Sequence, residues 1–169
     1  MAARVYWIKS PWKGRLAIVP RPRGGDWLED EVSGWRDAGI NIVVSFLTPA
    51  EAEEFGLEME GAACMAREIR FVSFPIPDQE VPVSKQSAVV LLSDLEQAIQ
   101  EGKTVAVHCR QSVGRSATIA AALLVAAGEK PRVAFEKIEE ARGCKVPETL
   151  EQERWVADYA SELAATSAL

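Results

Sequence analysis

The sequence is poor in the residues that build metal and disulfide sites. It holds one histidine, His108, and three cysteines, Cys64, Cys109 and Cys144. No two of these thiols stand at zinc-site spacing, so no metal and no cofactor is expected. An odd number of widely separated cysteines also speaks against a disulfide framework. No apolar run approaches the ~18 residues of a membrane helix, so no membrane partner is expected. Basic residues are outnumbered, 19 Lys and Arg against 25 Asp and Glu, and the net charge is −6. A nucleic-acid partner is therefore not expected either, since its footprint is a basic surface. The opening MAARVYWIKS lacks the roughly 7–15 apolar residues of a secretory signal. Together these absences lead to the expectation of a reduced, cytoplasmic protein.

What is present concentrates in residues 104–127, TVAVHCRQSVGRSATIAAALLVAA. The run 104–107 reads as a buried strand, and 116–127, apolar nearly all round, reads as a buried helix. The short loop between them ends at Gly114. A loop entering a helix N-terminus gathers backbone N–H groups, and the helix dipole adds positive potential, so the junction is an anion site. Arg110, Gln111, Ser112, Val113 and Gly114 supply its backbone, Cys109 stands at its mouth and Arg115 at its far end. Such surroundings favour a thiolate over a thiol. The planar guanidinium fork of Arg115 suits two oxygens of a tetrahedral dianion. That pairing predicts in-line attack by Cys109 on a phosphorus held by Arg115. Ser116 is placed to donate a hydrogen bond to the departing sulfur, and His108 to order the loop.

These residues carry a resemblance. His108-Cys109-x5-Arg115-Ser116 resembles the HC-x5-R-[ST] signature of cysteine-dependent protein tyrosine and dual-specificity phosphatases. FPIPDQEVP at 74–82 looks like that family's acid loop, with Asp78 as the general acid and Glu80 its nearest substitute. VPETLEQERWV at 146–156 resembles the element that positions the hydrolytic water. With Thr149 on the family's threonine, Glu148 falls where glutamine is usual, and Gln152, one turn on, is the candidate amide. Ser112 stands where the family usually has glycine, and carries strain if φ is positive there. Opening and closing segments look most like the small single-domain archaeal and bacterial members.

The resemblance implies a central, parallel-rich mixed sheet flanked by helices, phosphotyrosine phosphatase-like. Alternating strand and helix signals suggest an α/β class independently. Strands are predicted at 5–9, 16–19, 40–47 and 69–74, with helices at 27–38, 57–67, 84–101, 132–142 and from about 149. Asp26 is read as an N-cap of the first helix; Thr48 caps a short acidic helix with Pro49 at its first position. In the helix at 84–101, Val89, Leu92, Leu95, Glu96 and Ile99 mark one buried and one wet face. One domain, 1–169, is expected, with a disordered tail at 164–169. Arg21 and Arg23 read first as a solvated loop; the resemblance sets them near the active-site mouth, facing an anionic substrate flank. Cys64 and Cys144 read as a small buried hydrophobe and a loop residue, with a protective disulfide to Cys109 as the alternative.

The expected function is hydrolysis of phosphotyrosine, with phosphoserine or phosphothreonine second, through a phosphocysteine intermediate. Its partners are then a phosphorylated protein or peptide as substrate and inorganic phosphate as product, and the protein itself is expected to be a monomer. Competing readings are a phosphate-reading binding module, a phosphoinositide phosphatase, and a sulfurtransferase or arsenate reductase. A reader needs neither Cys109 nor Asp78. Phosphoinositide hydrolysis favours more basic loops than Arg110 alone supplies. Arsenate reduction recruits further redox cysteines, and sulfur transfer has no need of an aspartic acid loop.

Overall fold

The computed structural model describes residues 2–168. Five strands form one sheet: β1 (Tyr6–Ile8), β2 (Arg15–Ile18), β3 (Ile42–Ser45), β4 (Arg70–Ser73) and β5 (Thr104–His108). Their spatial order is β1-β2-β5-β3-β4. Only β1 runs antiparallel, joined to β2 by the six-residue loop 9–14; β2, β5, β3 and β4 are parallel neighbours. Gly14 closes that loop. Its N–H donates to Ile99 O at 2.8 Å, and a β-carbon there would lie 2.1 Å from Lys103 O. The α/β architecture and the parallel-rich sheet are as expected.

The central strands are buried on both faces, which explains their unbroken apolar runs. Ile42, Val44, Val105 and Val107 join Leu16 and Ile18 in the larger core. It is covered by α4 (Lys85–Gln100), α5 (Arg115–Ala126), α6 (Pro131–Arg142) and α7 (Leu150–Ser167). Val43 and Ala106 face the other way, onto Val32, Trp35 and Cys64 of α1 (Leu28–Asp37) and α3 (Glu60–Met65). The remaining helix, α2 (Pro49–Glu54), follows β3. Its start carries the expected Thr48 cap and Pro49, closed reciprocally by Glu51.

Several boundaries differ from expectation. Asp26 caps nothing: residues Gly25–Trp27 form a 3₁₀ turn behind Gly24 and run straight into α1, so Asp26 lies inside the first turn. The strand expected at 40–47 keeps ladder pairing only over Ile42–Ser45. The helix expected at 57–67 is confined to Glu60–Met65, and Glu68 with φ 58° turns the chain into β4. Val89 is 41% exposed, because the buried stripe of α4 runs through Ala88, Leu91, Leu92, Leu95 and Ile99. The segment 164–167, expected to be disordered, is helical. Alanine-rich sequence favours helix there, Leu163 packs on the core, and Thr166 Oγ1 donates to Glu162 O. Residue 169 lies outside the described residues.

Candidate active site

Parallel strands release their loops at one edge of a sheet, and ligands of open α/β folds gather there. In this chain four strand ends meet at that edge. β5 delivers His108 and Cys109, and β2 leads to Arg21. β3 leads through Phe46 to Glu51 on α2, and β4 leads through Ile76 to Asp78. The order of strands, with β5 central, puts Cys109 in the middle of the group.

Cys109 is buried, 1% exposed, at the base of the 109–114 loop. α5 begins at Arg115 behind Gly114, and no side chain caps it. Among the described residues the backbone N–H groups of 110–114 donate to no protein acceptor. An uncapped helix start and a ring of free amides constitute an anion cradle. Ser112 has φ 58°, the left-handed conformation in which a side chain is strained. Its hydroxyl offsets that strain by donating to Val19 O at 2.8 Å and accepting from the Cys109 N–H at 3.4 Å. Gly114 packs against a neighbour: a β-carbon would lie 2.2 Å from Glu148 Oε1, so that carboxylate would have to swing aside.

Arg115 is wholly buried and braced on several sides. Nη1 donates to Glu51 Oε1 at 2.7 Å, to Ile76 O at 2.7 Å and to Phe46 O at 3.3 Å. Nη2 donates to Glu51 Oε2 at 2.9 Å and to Asp78 Oδ1 at 3.1 Å. Burial works against the guanidinium charge, but Glu51, Cys109 and Asp78 outweigh it and raise its pKa. Burial also pushes the Glu51 carboxyl up, yet hydrogen bonds from Arg115 and Thr48 win and hold it at about 2. Two buried polar atoms beside the cradle have no partner among the described residues, Arg115 Nε and Ser116 Oγ. The first is a donor left free on a fixed cation. The second is a hydroxyl in the first turn of α5.

Sequence reasoning placed Cys109, Arg115, Ser116 and Asp78 together, and they converge here. Arg21 also reaches the loop, donating from Nη1 to Arg110 O at 3.0 Å. Arg23 does not: it pairs with Glu31 at 2.8 Å and lies over Trp27. Gln152 is buried with its amide engaged. Oε1 accepts from the N–H groups of Glu148 and Thr149, and Nε2 donates to Glu80 O at 3.2 Å. It thereby ties the start of α7 to the acid loop. Glu148 lies against Gly114, and burial, then Asp78, push its carboxyl pKa up, against the opposing pull of Arg115.

Two carboxylates were missed. Glu51 was read only as part of an acidic helix, although the Thr48-x-x-Glu51 capping box was available in the sequence. Glu60 carries no such signal. It is buried beside His108, with Oε1 2.6 Å from Nε2, while His108 Nδ1 has no partner among the described residues. Cys64, Cys109 and Cys144 are all free thiols; Cys64 is buried, which with Glu60 pushes it up to about 12, and Cys144 is exposed. Among the described residues no group of three His, Cys, Asp or Glu side chains is arranged to hold a metal ion.

The chain as a whole resembles several known proteins. A pig protein, cyclin-dependent kinase inhibitor 3, is 29% identical over 93 residues, covering 54% of this chain and 43% of that protein. The matched stretch is thus less than half of that relative's length. The crystal structure of kinase associated phosphatase (KAP) with its catalytic-site cysteine changed to serine superposes with a TM-score of 0.88. That match covers 98% of both chains at 18% identity, a likeness of fold alone. Tk-PTP in its active form gives a TM-score of 0.73 at 27% identity, over 88% of this chain and 92% of that one. Residues 3–162 match the family described as Swiss Army Knife protein, DSP-PTPase phosphatase domain, and the chain belongs to that family.

Proposed function

We propose that this chain is a cysteine-dependent phosphatase that hydrolyses phosphotyrosine in a protein or peptide without a metal. The observation that carries the reading is the buried Arg115, fixed by Glu51 with its Nε–H unpartnered, and within 3.1 Å of Asp78. In this reading the Cys109 thiolate attacks phosphorus while the bond to the leaving oxygen breaks. Arg115 and the loop amides take up the equatorial oxygens, where charge is stabilised most effectively. Asp78 gives its proton to the leaving oxygen, and Ser116 steadies the sulfur. Asp78 then takes a proton from water as that water attacks the phosphocysteine. The S–P bond breaks, and inorganic phosphate and the thiolate are released. A bare phosphate reader needs no buried thiol and no aspartate on the same cation, which favours the enzyme. PTPMT1 in complex with PI(5)P shares the fold, with a TM-score of 0.76 at 16% identity, so a phosphoinositide is the comparison substrate.

The test is turnover of p-nitrophenyl phosphate in chelator. Cys109→Ser is expected to abolish it, and Asp78→Asn to lower kcat by about 10²–10⁴-fold with phenyl phosphate, the usual worth of a general acid, and by less with p-nitrophenyl phosphate. Phosphotyrosine peptides are expected to outrun phosphoinositides in kcat/KM. Turnover that survives Cys109→Ser refutes the nucleophile.

A further inference from the structure

Three consecutive carbonyls of the 109–114 loop are held by guanidinium groups that arrive from different elements. Arg21, just past β2, donates from Nη1 to Arg110 O at 3.0 Å. Arg142, the last residue of α6, donates from Nη2 to Gln111 O at 3.3 Å and from Nε to Ser112 O at 3.0 Å. Each guanidinium is braced by an aromatic ring, Arg21 at 3.5 Å from the centroid of Phe55 and Arg142 at 4.2 Å from that of Tyr6. Neither makes an ion pair with a carboxylate among the described residues. Both are half-buried. Arg142 thus places Nε and Nη2 on the loop, and Arg21 places Nη1.

Peptide planarity carries those contacts to the other side of the loop. In a trans peptide the C=O of one residue and the N–H of the next point in opposite directions. Carbonyls of 110, 111 and 112 turned outward set the N–H groups of 111, 112 and 113 inward. These N–H groups are among those that donate to no protein acceptor. Within the loop the Ser112 hydroxyl anchors the middle, through Val19 O and the Cys109 N–H, but no loop side chain among the described residues holds the carbonyls of 110, 111 and 112. Ser112 sits at φ 58°, in the left-handed region that disfavours any residue but glycine. α5 fixes only the far end, through Thr118 N–H to Gly114 O at 2.9 Å.

We propose that Arg21 and Arg142 form a carbonyl clamp that keeps the loop amides aimed at the phosphoryl site. They are positioning residues: they touch the loop, not the substrate. The proposal rests on the phosphatase reading above for the identity of the anion, and goes beyond it in assigning work to α6 and to the segment after β2.

The experiment measures p-nitrophenyl phosphate turnover and tungstate affinity for the parent, Arg142→Ala, Arg142→Lys and Arg21→Ala, each with and without millimolar guanidinium chloride. Thermal unfolding of every variant is recorded alongside. Arg142→Ala is expected to weaken tungstate by about tenfold or more, the scale of one hydrogen bond from a charged group, and to lower kcat/KM at least as much. Added guanidinium restores part of both, and Arg142→Lys, with no fork for two carbonyls, falls between. Millimolar guanidinium is far too dilute to denature, so a variant that is merely less stable shows a lowered Tm and no rescue, and absent rescue overturns the clamp. Parent-like tungstate affinity in both alanine variants overturns it too. A parent that binds tungstate without turnover defeats the phosphatase reading alone, and weakened binding in the variants then still supports the clamp. A parent that binds no tungstate defeats both.

Discussion

At the scale of single residues, the site turns on how a buried guanidinium is kept charged and still. Glu51 does this for Arg115 with two oxygens at 2.7 and 2.9 Å. Removing one member of a buried ion pair strands the other, at a cost of roughly 3–5 kcal/mol. Glu51→Gln is therefore expected to lose stability on that scale in urea unfolding at pH 6. It is also expected to lower turnover by about a hundredfold, as a displaced Arg115 no longer meets the phosphoryl group. The pH dependence has a defined sign. Glu51 is held at about 2 in the fold against an ordinary 4.5, so the unfolded chain binds more protons between those values. Its contribution is complete above about 4.5 and is lost as pH falls toward 2. Between pH 5 and pH 3 the parent should lose more stability than Glu51→Gln, and equal losses would refute the assignment. The sequence shows Glu51 as a helix-capping residue, because Thr48 and Pro49 are adjacent to it. Its second role depends on Arg115, 64 positions away, and no local period encodes that distance. Glu60 against His108 was illegible for the same reason.

At the scale of elements, the legible parts were those with a strong local signal. The apolar strand before Cys109, the buried α5 and the Thr48 boundary are set by neighbours in sequence. Asp26 misled because a 3₁₀ turn moved the cap to Gly24. Gln152 is more instructive. Its position one turn into α7 was visible, but not that its amide closes a capping box and holds Glu80 O at 3.2 Å. That contact is the link between α7 and the loop that carries Asp78. Gln152→Ala should free the loop, so under the proposed mechanism the cost should fall on the step in which Asp78 would supply a proton. A good leaving group such as p-nitrophenolate needs that proton less than phenolate does. The expected result is a kcat loss of about tenfold or more with phenyl phosphate, within the range of general-acid catalysis, and a smaller loss with p-nitrophenyl phosphate. Equal losses with both substrates would make Gln152 a stability residue only.

At the scale of the whole molecule, the parallel sheet separates the chemistry from the packing. All the site loops leave one edge, while the helical layer over the larger core is free to carry features unrelated to turnover. One such feature is Glu96 on α4, whose buried Oε2 has no hydrogen-bond partner among the described residues. Burial raises its pKa, and burial followed by Glu96 itself raises that of Tyr159 on α7. The sign is opposite to that of Glu51. A carboxyl whose folded pKa is raised keeps its proton in the fold after the unfolded chain has lost it. Its stabilising effect is complete below about 4.5, the ordinary value, and is lost as pH rises through the higher folded value. Glu96→Gln cannot ionise, so its Tm should exceed that of the parent at pH 8, with the gain shrinking as pH is lowered toward 5. Turnover of p-nitrophenyl phosphate at fixed pH should not change, because nothing in the site touches α4 through this residue. A gain in Tm that is the same at pH 5 and pH 8 would mean that Glu96 destabilises by shape rather than by charge. A fall in turnover would mean that the α4–α7 interface reaches the acid loop through Gln152.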